Sequence, residues 1–155
     1  MDRIIDIRVQ RDDFDVGAEI DRLGIGRPDL GAVVSFTGLC RAEGGRLSAL
    51  ELEHYPGMAE AQIARIAERA AERWPLGAIT VIHRFGQIRP GERIVLVAAA
   101  SSHRHAAFDG AGFIMDFLKS EAPFWKKEHA ASGETGAWVD ARESDADAMK
   151  RWGGS

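Results

Sequence analysis

Residues 78–100 read AITVIHRFGQIRPGERIVLVAAA, and the fold turns on how they are read. Ala78–Phe85 and Arg93–Ala100 are β-rich runs, and Arg89-Pro90-Gly91-Glu92 between them has the composition of a turn. Proline presets φ there, and glycine supplies backbone conformations that other residues avoid. The stretch is therefore predicted to be a hairpin, with its two runs antiparallel.

Helical periods flank it on both sides. Over Met58–Trp74 the apolar residues Ile63, Ile66, Ala67, Ala70 and Trp74 recur at helical spacing, while Arg65, Glu68, Arg69, Glu72 and Arg73 fill the remaining arc. Pro75 closes this helix. Beyond the hairpin, Ser101 and Ser102 are placed to cap a second long helix from His103 to about Lys119, with Ala107, Ala111, Ile114 and Leu118 on one face and Pro123 at its end. Further out, Arg3–Val9 alternates as a half-buried strand does, and Val16–Leu23 reads as a short helix. Gly31–Thr37 and Leu47–His54 are strand-like. AWVDARE (137–143) reads as a short strand, and SDADAMKRW (144–152) as a helical turn or two capped by Ser144. Ala42–Arg46 and Ala130–Gly136 read as flexible loops. Hairpins mixed with crossovers make the chain α+β, with a mixed, largely antiparallel sheet and two long helices. At 155 residues and 45% hydrophobic content it is expected to form one domain over 1–152, with 153–155 a flexible tail.

Charge narrows the function. Twenty Lys and Arg against 24 Asp and Glu give a net charge of −4, which argues against a general nucleic-acid or membrane-surface binder, because those need a broad positive field. The opening MDRIIDIRVQRDDFD has acids where a targeting peptide needs bases, and no apolar run approaches the ~20 residues of a membrane span, so a cytoplasmic address is expected. Cys40 is the single cysteine and has no second thiol for a disulfide or a CxxC site; it reads as a small buried hydrophobe. No HxxxH, HExxH or carboxylate cluster points to a metal, and no cofactor is expected.

Two clusters could carry chemistry. In SSHRHAAFDG (101–110), His103, Arg104 and His105 stand in the first turn of a helix, where the dipole favours acids; free amides with Arg and His there suit a phosphate. The plain alternative is a solvated basic turn, neutralised by Asp109 or another acid. In FLKSEAPFWKKE (117–128), Lys119 and Lys126 flank Ala122-Pro123, whose ring bends the chain. A bend would set Phe124 and Trp125 beside the ammonium groups, and an apolar wall disfavours a charged amine, making it a base or nucleophile. Alternatively the lysines complement the helix dipole and Trp125 is a core anchor. Arg41, between a strand and a Gly-rich loop, is a weaker candidate, while His54 and His83 read as structural. From His103 to Lys119 there are 16 residues, about 24 Å along a continuous helix at ~1.5 Å each, so one small substrate could not touch both within a subunit. If both clusters function, they form two sites or are joined by a twofold dimer.

The strings LEHYPGM (52–58), RWPLGAITVIHRFGQIRPGE (73–92), SSHRHAAFDGAGFIMDFLKSEAPFWKKE (101–128) and WVDARESDADAMKRW (138–152) resemble the large, catalytic subunit of molybdopterin synthase, from about Gly31 to Trp152. The resemblance implies a hammerhead-like α/β fold and a sulfurtransferase of molybdenum cofactor biosynthesis. It implies that cyclic pyranopterin monophosphate receives two sulfurs as a dithiolene from a small ubiquitin-like carrier, whose C-terminal Gly-Gly thiocarboxylate inserts into the large subunit. Two large subunits would form a homodimer within a heterotetramer. By position, Lys119 and Lys126 match the family's catalytic lysines; Arg41, His103, Arg104 and Arg142 match its substrate contacts; Phe36 and Met115 match its pocket residues. Lys127 is expected to be a solvated neighbour. Ser155 follows Gly153-Gly154, which argues against a carrier tail on this chain. Two other readings of the residues remain: a lysine Schiff-base enzyme acting on a phosphorylated carbonyl compound, and an adaptor that docks a ubiquitin-like protein through Phe124 and Trp125.

Overall fold

The computed structural model describes residues 3–141 and 150–153. The hairpin forms: β4 (Leu76–Arg84) and β6 (Arg93–Ser101) are antiparallel, with Ile79 opposite Ala99 and Val81 opposite Val97. The segment between them is more than a turn. Gly86, at φ +88°, redirects the chain, and a Cβ there would lie 2.8 Å from Arg11 Nη1. The three residues of β5 (Gly86–Ile88) then leave β4 and pair with β3 (Leu47–His54), Leu50 opposite Ile88.

Two four-stranded sheets result where the sequence suggested one. The first has the order β1-β4-β6-β2, in which β1 (Ile4–Gln10) runs parallel to β4 and β2 (Ala32–Leu39) runs antiparallel to β6. The second, β5-β3-β7-β8, is antiparallel throughout, with β7 at Phe124–Ala130 and β8 at Val139–Asp140. The expected α+β class with largely antiparallel pairing is what forms. Strand period shows that a segment is a strand; it does not show which sheet receives it.

The three helices among the described residues cover the first sheet. α2 (Met58–Arg73) and α3 (Arg104–Glu121) pack on each other and on one face, burying Ile63, Ile66, Phe113 and Ile114 against Ile79, Val81, Val97 and Ala99. α1 (Val16–Gly24) sets Leu23 on Ala78, Ala98 and Ala100, one residue out of step along the same strands and hence on the opposite face. With both faces covered, β4 and β6 carry near-continuous apolar runs, as doubly buried strands do. Phe113 anchors the helical layer: it stacks on Phe117 at 4.4 Å and meets the edges of Trp74 at 5.5 Å and Trp152 at 5.6 Å.

Several local expectations change. The serines do not cap α3; its N-cap is His103, with no side-chain cap bond. Ser101 instead donates to the Pro75 carbonyl at 2.8 Å and Ser102 to the Asp29 carbonyl at 3.0 Å, fastening the helix start to two loops. Ala42–Arg46 is a hydrogen-bonded turn, Gly45 N–H donating to the Ala42 carbonyl at 3.1 Å. The 130–136 loop is closed by Ala130 N–H donating to the Glu134 carbonyl at 2.8 Å. The expected cap at Ser144 and the helical turn that it would start lie largely outside the described residues. None of the described helices is long and apolar enough to cross a membrane.

Candidate functional site

A cavity of about 700 Å³ opens where the two sheets meet the C-terminal end of α3. Two periods bring its lysines together. On α3, Met115, Leu118 and Lys119 fall on one stripe, which ends in the last turn where the helix dipole favours a cation. Ala122 caps the helix in an extended conformation (φ −69°, ψ 130°), Pro123 follows, and β7 returns across the cavity with Phe124 and Lys126 pointing inward. Lys119 and Lys126 therefore line one cavity, together with Phe36, Arg41 and Met115.

The same alternation corrects the expected apolar wall. Phe124 faces the lysines, but Trp125 points to the opposite side of the sheet, edge-on to Tyr55 at 5.0 Å. Lys127 goes with it and lies over the Trp138 ring at 4.4 Å instead of standing as a solvated neighbour. Lys119 is exposed and Lys126 half-buried, so this chain alone does not desolvate Lys119 as a two-aromatic wall would. Arg41 reaches the rim with its side chain 84% exposed, 3.3 Å from Glu43.

Every charged residue lining the cavity among those described is a cation, namely Arg41, Lys119 and Lys126. No described lining residue is an acid, and with Glu43 pairing Arg41 from outside the lining, the cavity wall itself carries positive charge inside a chain of net charge −4. His83 also lines the cavity, which the sequence reading missed by taking it as structural only. It stacks on Phe124 with centroids 3.9 Å apart and planes 16° apart, and burial pushes its pKa down to about 4. The available signal was its place on the stripe of Ile79 and Val81, where a polar residue on a core face is the informative exception. His54 is structural as expected: buried, tilted on Phe85 at 4.4 Å and stacked beyond Phe124 at 5.9 Å. Cys40 is buried; burial first, then Glu92 and Glu43, pushes its thiol up, which opposes a nucleophilic role. No group of three or more metal-ligating side chains is found among the described residues.

His103 and Arg104 do not line this cavity. They stand exposed at the other end of the 18-residue α3, with no acid in its first turn. β2 links the two ends. Its start is held to the helix start, Gly31 N–H donating to the Ser101 carbonyl at 2.9 Å, and a Cβ on Gly31 would lie only 2.3 Å from the Ser102 carbonyl oxygen. The far end of β2, Phe36–Leu39, lines the cavity. Arg142 lies outside the described residues; Ala141 before it lines the cavity.

The sequence profile of the MoaE family, described as "MoaE protein", matches residues 9–121, well over half of the chain. The chain belongs to the MoaE family. Among its MoaE relatives, the molybdopterin synthase catalytic subunit of Mesorhizobium japonicum is 68% identical over 146 residues, 94% of this chain and 92% of that one. That of Escherichia coli K12 is 52% identical over 141 residues, covering 90% and 92%. The fold agrees. The molybdopterin biosynthesis MoaE protein of Burkholderia ambifaria superposes with a TM-score of 0.86 at 46% identity, over 98% of this chain and 100% of that one. Molybdopterin synthase from Staphylococcus aureus gives 0.76 at 28% identity, over 85% and 95%. As a MoaE chain matching these relatives over nearly their whole length, it is an enzyme subunit of molybdenum cofactor biosynthesis, the catalytic subunit of molybdopterin synthase.

Proposed function

We propose that the cavity transfers sulfur from the C-terminal Gly-Gly thiocarboxylate of a small ubiquitin-like carrier to cyclic pyranopterin monophosphate, building a dithiolene in two rounds. The observation that carries this reading is the meeting of Lys119 and Lys126 in a cavity whose described lining residues include no acid. Both reactants are anions, a thiocarboxylate and a cyclic phosphate, and a cationic pocket with apolar walls at Phe36, Met115 and Phe124 suits a flat heterocycle carrying such charges. In each round the thiocarboxylate sulfur bonds to a substrate carbon as a C–O bond of that carbon breaks, the oxygen leaving on the opening phosphate or as water, and the sulfur's bond to the glycine acyl carbon then breaks. The acyl group passes to water as a carboxylate, or to the Lys119 amine as an isopeptide that water later opens. Lys119, exposed at the cavity rim, has room to meet the inserted tail, which would itself exclude water from the amine. Lys126, half-buried beyond the bend, stabilises the charge on the thiocarboxylate or on the opening phosphate. Arg41 and Arg142 hold the substrate's anionic groups.

The anion-binding start of α3 is assigned to a second copy. β2 is an edge strand of its sheet and exposes Val33, Phe36 and Leu39. Two β2 edges paired antiparallel about a twofold axis would cover that edge and set His103 and Arg104 of one copy beside the cavity of the other. With a carrier on each cavity the assembly is a heterotetramer. The test is reconstitution: this chain, a thiocarboxylated carrier and cyclic pyranopterin monophosphate, assayed for dithiolene product. Product is expected, with activity lost in Lys119→Ala while carrier binding persists. No product with a competent carrier sinks the reading; full activity in Lys119→Ala moves the chemistry off that lysine.

A further inference from the structure

The cavity lining includes an imidazole, His83, whose chemistry the sulfur-transfer scheme leaves unused. Arg41, Lys119 and Lys126 can only donate hydrogen bonds, and a pterin brings donors of its own, an exocyclic amine and ring N–H groups, which need acceptors. His83 supplies one. Its Nδ1 lies 2.9 Å from the Arg84 carbonyl oxygen, which can only accept, so Nδ1 carries the proton and Nε2 is left with a free lone pair. No hydrogen bond to Nε2 is formed among the described residues. The ring is half-buried, and its open side lines the cavity.

The ring is also held still. It lies flat on Phe124, the residue two before Lys126 on the same inward face of β7, and its backbone sits opposite Val95 in the β4–β6 ladder. Burial, with the neighbouring His54 acting in the same sense, pushes the imidazole down to about 4, so the ring stays neutral at physiological pH and keeps its lone pair.

Resting on the sulfur-transfer reading, we infer that His83 Nε2 is a substrate acceptor: it takes a hydrogen bond from an N–H of the pterin and orients the ring between Lys119 and Lys126. It selects for a ligand that is anionic at one end and a donor at the other. A bare anion can use the cations and gains nothing from His83. This is positioning by direct contact, and the weak basicity of the ring keeps it out of proton transfer.

Two variants separate the contact from the stack. His83→Phe keeps a ring on Phe124 and removes the acceptor; His83→Gln returns an acceptor oxygen near the Nε2 position. Binding of cyclic pyranopterin monophosphate to the full chain is measured by titration, with inorganic phosphate as the anion control, beside steady-state kinetics with the thiocarboxylated carrier. The expected result is a KM and Kd raised about ten- to a hundredfold in His83→Phe, the cost of stranding a buried donor. A kcat within a few-fold of the unchanged chain, substantial recovery in His83→Gln and unchanged phosphate binding are expected with it. In the unaltered chain, the ¹⁵N resonance of Nε2 should move upfield on adding substrate, a readout that needs no variant to fold. Equal substrate affinity in His83→Phe, or an Nε2 resonance that does not move at saturation, overturns the inference and leaves sulfur transfer standing. Failure of the unaltered chain to bind the pterin at all overturns the functional reading, and the inference with it.

Discussion

Two variants that are each inactive should restore activity when they share a dimer. Arg104 opens α3 and Lys119 stands in its last turn, 15 residues on, which is about 22 Å at ~1.5 Å per residue. A sphere of the cavity's 700 Å³ is only about 11 Å across, so a ligand seated against Lys119 cannot reach Arg104 of the same chain. In the proposed twofold dimer the cavity of one chain would be completed by the helix start of the other. A heterodimer of an Arg104→Ala chain with a Lys119→Ala chain then has one site carrying both defects and one carrying neither. Isolated through two different affinity tags, that heterodimer should show about half the activity of the unaltered dimer, against near-background for either parent. If both clusters served the cavity of their own chain, each site in the heterodimer would carry one defect and activity would stay at parental levels. That outcome refutes the shared site, as does a chain that is fully active as a monomer.

Other expected outcomes concern packing and pH. Gly31→Ala drives a Cβ to 2.3 Å from the Ser102 carbonyl oxygen, where backbone must yield, so urea unfolding should show a loss of about 1–3 kcal/mol and substrate affinity should fall with the displaced His103-Arg104 turn. Gly110→Ala is the comparison for that argument: its Cβ meets side-chain atoms, Leu76 Cδ1 at 2.6 Å, Cδ2 at 3.0 Å and Cγ at 3.3 Å, and the gain in helix propensity of about 1 kcal/mol offsets part of the crowding in this buried site, so its loss should be smaller than that of Gly31→Ala. His83 gives a pH signature. Its folded pKa of about 4 lies below the ~6.5 of an unfolded histidine, so between those values the unfolded chain binds the extra proton. Stability is therefore full above about pH 6.5 and declines as pH falls towards 4, by at most about 3 kcal/mol from this group. His83→Phe should flatten that part of a stability-against-pH curve. The carboxylates of Glu19 and Asp13, held low chiefly by hydrogen bonds from Arg8 and Arg93, should leave their own decline at lower pH in place.

Much of this architecture is visible in local pattern. The apolar spacing of α2, the two runs of the β4–β6 hairpin and the break at Pro123 each follow from residues a few positions apart, and each forms close to where its period places it. The resemblance of Gly31–Trp152 to molybdopterin synthase rests on strings that need no structure to be recognised, and the family match agrees with it. Less was legible where one local pattern served two outcomes. A serine pair before a helix reads as a cap, yet both hydroxyls are taken by carbonyls of other segments. FWKK reads as aromatics beside lysines, yet in a strand alternate residues part company, so Phe124 and Lys126 face the cavity while Trp125 and Lys127 face away.

The sequence by itself determined most of the elements, though not the strands β5 and β7, together with the break at Pro123 between Lys119 and Lys126 and the kinship of the chain, because each depends on residues close together or on their identity alone. Only the tertiary structure decided that Gly86 hands three residues to a second sheet, that His83 borders the cavity and that β2 ties the helix start to the far wall. Period tells which residues of an element share a face. What that face meets is settled by packing between segments tens of residues apart, and no local spacing encodes it.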